Sequence, residues 1–209
     1  MKKMLPLFLA AAVSSALFAA DDGFVKFPAA DRKGGIPLQQ ALNARQTIRK
    51  YQDKKLTAQQ TGDLLWSAAG VNRANGKRTA PTAVNRQEIL LYFLTSDGAF
   101  AYCPVKHRYK KINSADLRQW AGVFSSPLYI VIAVDLDKAA NKHYAAMDTG
   151  YVSQNIYLHC ASAGLGTCAI GSFNRIKGSD RGKKLRDGLK LPENVEIYLT
   201  HSVGIPAVK

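Results

Sequence analysis

The chain has 209 residues, 47% of them apolar, and a formal charge of +14. That length and composition supply a sizeable core and exclude a disordered or low-complexity chain. A basic balance suits anionic ligands, but the charge is scattered, with small clusters only at Lys106–Lys111 (KHRYKK) and Arg181–Arg186 (RGKKLR), so a solvated basic face accounts for most of it.

The first twenty residues read as a secretory signal peptide. Lys2 and Lys3 form a basic start, Leu5 to Phe18 an apolar run, and Ala19 and Ala20 a small-residue close before two aspartates. The run is too short to span a bilayer. Cleavage after Ala19 or Ala20 removes two lysines and no acid, leaving +12. No cysteine stands at the junction and no second long apolar run follows. The expectation is an exported, periplasmic protein without stable membrane insertion, and export argues against nucleic acid as a partner. Residues 21–209 are expected to form a single domain. Cys103, Cys160 and Cys168 are an odd set, which leaves at least one free thiol or an intermolecular bond. His107, His143, His159 and His201 show no metal-ligand spacing, so no metal site is expected.

In chain order, Asp21 to Pro37 reads as a loose arm and Leu38 to Arg45 as a short helix. Ala44–Tyr51 (ARQTIRKY) alternates Arg45, Thr47 and Arg49, which an extended backbone would place on one face as a cradle for an anion. Thr57 to Gly70 is a helix with Thr57 as its N-cap. Val71 to Arg78 is a polar loop. Ala80–Gln87 (APTAVNRQ) is a turn whose Asn85 and Gln87 carry amides that both donate and accept. Ile89–Leu94 and Ala99–Tyr102 form a hairpin about Ser96-Asp97-Gly98. Asn113–Trp120 reads as a helix. Leu128–Val134 (LYIVIAV) is a near-continuous apolar run, hence a central buried strand. Lys138–Ala163 is largely helical, with Thr149-Gly150 a possible interruption. Lys183–Leu189 is a short helix and Glu196–Val203 a last strand. Hairpin-linked strands mixed with helices indicate an α+β fold.

The stretch Tyr151–Phe173 organises the rest. Val152, Ile156, Cys160 and Ala163 lie on one helix face, and Gly164 is placed to end the helix in a left-handed cap. GLGTCAIGSF then gives backbone that can pass close to a flat ligand.

Together these motifs resemble the flavin-dependent nitroreductase family over nearly all of the mature chain. ARQTIRKY resembles the family's opening motif. APTAVNRQ resembles its Pro-Ser-x-x-Asn-x-Gln motif, with Thr82 where serine is usual. Gln154 stands at the position of a flavin-facing glutamine, and GLGTCAIGSF resembles the segment lying along the flavin ring. The resemblance implies an α+β nitroreductase-like fold, a central mixed, mostly antiparallel sheet flanked by helices. It also implies a homodimer with FMN at the interface. By position, Arg45 and Thr47 would bind the FMN phosphate, with Gln46 between them in the cofactor-binding set. Arg49 would sit near the pyrimidine edge. Pro81, Thr82, Ala83 and Asn85 would come from the partner subunit, and Gln154 would contact the polar edge or ribityl chain. Ile170 and Gly171 would offer backbone N–H groups. Lys209 is the one candidate for a C-terminal cation on the phosphate. The implied activity is ping-pong reduction of nitroaromatic, quinone or similar electrophilic small molecules, with no catalytic acid or base required of the side chains. Export leaves the electron donor open among NAD(P)H, a quinol and a redox protein. Two other readings stand beside this one: a protein of the same fold that binds FMN without turnover, and a basic interaction module without cofactor.

Overall fold

A computed structural model describes residues 23–171 and 180–207. Among these residues seven strands and five α-helices follow one another as β1 (Phe24–Lys26), α1 (Leu38–Ala44), α2 (Ala58–Ala69), β2 (Ile89–Thr95), β3 (Gly98–Cys103), β4 (Arg108–Asn113), α3 (Arg118–Ala121), β5 (Leu128–Asp135), α4 (Lys142–Ser162), β6 (Gly166–Ile170), α5 (Asp180–Gly188) and β7 (Val195–Gly204). The strands form one sheet in the order β1-β4-β3-β2-β5-β7-β6. Every pairing is antiparallel, the limit of the mostly antiparallel sheet expected.

The central strand explains the two-layered core. All of β5 is buried. Successive side chains on a strand point to opposite faces. Accordingly Leu128, Ile130, Ile132 and Val134 join one apolar cluster with Leu64, Leu65 and Ala68 of α2 and Val152, Ile156 and Cys160 of α4. Tyr129, Val131 and Ala133 join a second cluster with Leu117, Ala121 of α3 and Leu185 of α5. The sheet is thus covered on both faces, which is why the β5 run shows no polar alternation.

Helix ends follow local chemistry. Thr57 caps α2 in a full capping box: its hydroxyl accepts from the Gln60 N–H at 3.1 Å, and the Gln60 amide oxygen accepts from the Thr57 N–H at 3.0 Å. Asn141 caps α4 by accepting from the Tyr144 N–H at 2.9 Å. Gly164 takes φ +68° and turns the chain from α4 into β6.

Four expectations are corrected. The arm Asp21–Pro37 contains β1, and Phe27 after it is buried against Phe93, Tyr102, His107 and Tyr109, with centroids 4.5–6.2 Å apart. Much of KHRYKK is not a loose charge cluster but the start of β4, where Arg108 is buried with its guanidinium 3.9 Å from the Phe24 ring centroid. The helix expected over Asn113–Trp120 is confined to Arg118–Ala121. Finally, α4 runs through Thr149-Gly150 without a break, because Asp148, Thr149 and Val152 are buried there and packing overrides the weak local signal. No described helix is long and apolar enough to cross a membrane.

Candidate functional site

The segment 45–51 leaves α1 extended and is laid along one end of the sheet. The Ile48 N–H donates to the Thr167 carbonyl at 2.9 Å, Tyr51 bridges to Pro206, and the Ala207 N–H donates to the Lys50 carbonyl at 3.1 Å. Gly166 allows this approach: a Cβ there would lie 2.8 Å from Ile48 Cγ2. Ile48 therefore faces the sheet, and its polar neighbours are free to face elsewhere.

Those neighbours converge on two anchors. The Arg45 guanidinium lies over the Tyr157 ring, 5.4 Å from its centroid, and Thr47 Oγ1 is 3.2 Å from the Tyr157 hydroxyl. That hydroxyl also accepts the Ala169 N–H of β6 at 3.0 Å. The Arg49 guanidinium lies beside the Cys168 thiol on the same strand; burial pushes this thiol up and the guanidinium pulls it partly back. Among the described residues neither Arg45 nor Arg49 has a carboxylate partner. Arg45, Thr47 and Arg49 are thus gathered around β6 as two uncompensated cations and a hydroxyl. Gln46 is exposed. Gln154 is exposed on α4, one turn before Tyr157. Ile170 is buried at the end of β6, and Gly171 follows it on the surface, where a Cβ would meet nothing within 4 Å. Lys209 lies outside the described residues, as do residues 1–22.

Tyr157 is the residue that sequence reading missed. An aromatic at helical spacing reads as core, and only the nearness of β6 shows that its hydroxyl joins the Arg45–Thr47 segment to the strand. Beneath it the fully buried His201 stands between Ser153 Oγ at 2.9 Å and Thr167 Oγ1 at 3.0 Å, and burial pushes it down to about 3. The imidazole is neutral and structural, locking α4, β6 and β7 together under the site.

Pro81, Thr82, Ala83 and Asn85 are elsewhere. Ala83–Asn85 form a 3-10 turn packed on the first half of α4, with Pro81 and Thr82 leading into it. The Ala83 N–H donates to Asp148 Oδ2 at 2.8 Å, Thr82 Oγ1 accepts the Gln87 N–H at 2.9 Å, and Asn85 Oδ1 accepts from Gln87 Nε2 at 3.2 Å. Val84, Asn85 and Gln87 take φ of 44°, 56° and 52°. For a valine that is a strained conformation, held only where the surroundings over-determine it. Asp148 precedes Tyr157 by nine residues of one straight helix, so loop and cradle are separated by roughly 13 Å along α4. The single chain does not bring its two motif halves together.

The comparisons agree with this architecture. Residues 42–205 match the nitroreductase family. A candidate nitroreductase from Ralstonia eutropha JMP134 has a solved structure with a TM-score of 0.81 at 32% identity, covering 90% of this chain and 91% of that one. A candidate nitroreductase of Methanocaldococcus jannaschii is 26% identical over 158 residues, 66% of this chain and 80% of the relative. A candidate nitroreductase solved in complex with FMN from Desulfovibrio desulfuricans shares the fold, with a TM-score of 0.62 at 17% identity over 83% of this chain and 88% of that one. The chain belongs to the nitroreductase family and is a flavin oxidoreductase of the nitroreductase type.

Proposed function

We propose that this protein is an exported FMN-dependent homodimer that reduces nitroaromatic, quinone or similar electrophilic small molecules. The observation that carries the cofactor is the pair of uncompensated guanidiniums, Arg45 and Arg49, flanking Thr47 beside β6. Their chemistry fits FMN: Arg45 and Thr47 offer charge-assisted and hydroxyl bonds to a phosphate, with Gln46 beside them, and Arg49 offers a fixed positive charge to the ring edge. Ile170 ends β6 and Gly171 follows it on the surface, and Gln154 projects from α4 on the turn before Tyr157. Bound FMN supplies hydride or electron transfer at N5; the residues here bind it, orient it and set its electrostatics.

The separation of the two motif halves supports the dimer. Tyr144, Met147 and Tyr151 form an exposed apolar stripe along α4, at helical spacing, and Leu38 and Leu42 are exposed on α1, which packs on α4. In a two-fold interface residue i meets j and j meets i. Antiparallel packing of two α4 helices would bring the Pro81–Asn85 loop of one protomer toward the Arg45–Thr47 cradle of the other. Residues 1–20 support export, and with it an electron donor that need not be NAD(P)H: a quinol or a redox protein also suits that compartment.

The test is titration of flavin-free protein with FMN, with sedimentation of the loaded form. Arg45→Ala should weaken FMN by about ten- to hundredfold, the loss of one charge-assisted bond of about 1.5–3 kcal/mol. Unchanged affinity would misplace the phosphate cradle, and a flavin-loaded monomer would rule out the shared site.

A further inference from the structure

Two buried carboxyl groups lie under the strained loop, and neither belongs to the cradle. Glu88 and Asp148 are 1% and 2% exposed. Their carboxyl groups lie against each other, although Asp148 is on α4 and Glu88 immediately precedes β2. Two adjacent carboxylates out of water repel unless one proton is shared between them. Glu88 Oε2 is buried and receives no N–H or hydroxyl donor, which an ionised carboxylate would not tolerate. Among the described residues one cation faces the pair: half-buried Arg78, whose Nη1 donates to the Ile89 carbonyl at 2.9 Å and whose surroundings on β3 are Tyr102 and Cys103. One positive charge against two carboxyls is balanced only when a single proton is kept. Asp148 is also the group that fixes the loop, since its Oδ2 accepts the Ala83 N–H.

We infer that Glu88 and Asp148 are positioning residues whose shared proton clamps the Thr82–Gln87 loop onto α4, and that loss of this proton loosens the loop and with it the grip on flavin. The link to flavin rests on the reading above, in which this loop completes the neighbouring protomer's site. With the proton present, the cluster is neutral, and Asp148 is held at Ala83 against the strain of Val84, Asn85 and Gln87. When it leaves, two buried carboxylates repel across one arginine, and the low-cost relief is for Asp148 to swing out with its loop. Burial and the neighbouring Asp148 push Glu88 up to about 7, while Arg78 opposes them. The clamp is therefore closed below neutral pH and weakens above it.

The experiment measures two things on the purified protein between pH 6 and pH 8. The first is hydrogen–deuterium exchange of the peptide spanning Thr82–Gln87, corrected for intrinsic exchange and referred to β5. The second is the rate of flavin release, followed by flavin fluorescence after dilution. Loop protection should fall about tenfold over this range, the linkage expected of one proton held at about 7 in the closed state. Glu88→Gln supplies a permanent donor in the proton's place and should keep wild-type protection without the pH dependence. Asp148→Asn, which keeps an acceptor for Ala83, should also flatten the profile if Glu88→Gln folds poorly. Loop protection that does not change with pH in the wild type, or pH dependence that survives in Glu88→Gln, overturns the inference. A pH-dependent loop with pH-independent flavin release upholds the proton clamp and instead sinks the reading of this loop as a wall of the flavin site.

Discussion

Removing one oxygen atom tests how the site is held. In Tyr157→Phe the ring stays, so its contacts with the Arg45 guanidinium and with the His201 ring, 5.4 Å from it by centroid, are retained. What is lost is the acceptor for the Ala169 N–H at 3.0 Å and the partner of Thr47 Oγ1 at 3.2 Å. The two losses differ in weight. Water can reach half-buried Thr47, so that bond contributes about 0.5 kcal/mol, the low end for an intramolecular bond. The Ala169 amide belongs to a half-buried residue on a paired strand, between Cys168 and Ile170, both buried, and an amide deprived of its partner there costs about 1–2 kcal/mol. The total of about 1.5–2.5 kcal/mol should lower the melting temperature by about 3–10 °C for a chain of this size. Thermal unfolding followed by circular dichroism at fixed flavin concentration is the assay, because bound ligand shifts the midpoint by mass action. Thr47→Val completes a double-mutant cycle, whose coupling should be near 0.5 kcal/mol because only the smaller bond is shared. A Tyr157→Phe protein melting within about 1 °C of wild type would show that the hydroxyl does not tie the cradle to β6.

Arg49→Gln removes the charge beside β6 while keeping hydrogen bonding, and should lower the flavin midpoint potential by roughly 20–45 mV, equivalent to about 1–2 kcal/mol for a two-electron couple. Spectroelectrochemistry checks this, and an unchanged or raised potential would remove Arg49 from the flavin edge. The pH dependence of stability carries two opposite signs. His201 is depressed from 6.5 to about 3, so its contribution is complete above about 6.5 and is lost as pH falls toward 3, at up to about 1.4 kcal/mol per pH unit. Glu88 is raised from 4.5 to about 7, so its contribution is complete below about 4.5 and is lost as pH rises through 7. Between these limits they offset, and Glu88→Gln should make acid destabilisation between about pH 6.5 and 4.5 visibly steeper in urea unfolding. Superimposable profiles for variant and wild type would contradict the Glu88 assignment.

The fold was legible wherever the cause was local. Hairpin β2–β3, buried β5, the Thr57 cap and the left-handed Gly164 all follow from patterns within a few residues. β4 was not legible, because its lysines and arginine carry no strand alternation. Covered on its outer side only by three-residue β1, it can keep that charge wet while Arg108 lies over Phe24. The continuity of α4 through Gly150 was hidden for a related reason. A Cβ there would meet nothing within 4 Å, so the glycine neither helps packing nor ends the helix, and its neighbours Asp148, Thr149 and Val152 decide.

The same division runs through the site. The Arg45–Thr47–Arg49 alternation could be read directly, since an extended segment needs only its own backbone to present every second side chain. What the alternation does not contain is its counterpart: Tyr157 and Cys168 become partners only when α4 and β6 are packed together by the His201 bonds to Ser153 and Thr167. The Thr82–Gln87 loop is a stronger case. Nothing in APTAVNRQ asks Val84 to adopt φ 44°, and a valine left to itself would avoid it by about 1–2 kcal/mol. The conformation is imposed from beneath, by an Asp148 carboxylate from a helix formed much later in the chain and by a Glu88 that has no reason to be buried until Asp148 meets it. Local sequence therefore specifies what each half of this site can bind, whereas the non-local packing specifies how firmly each half is held, and that second quantity is the one that responds to pH.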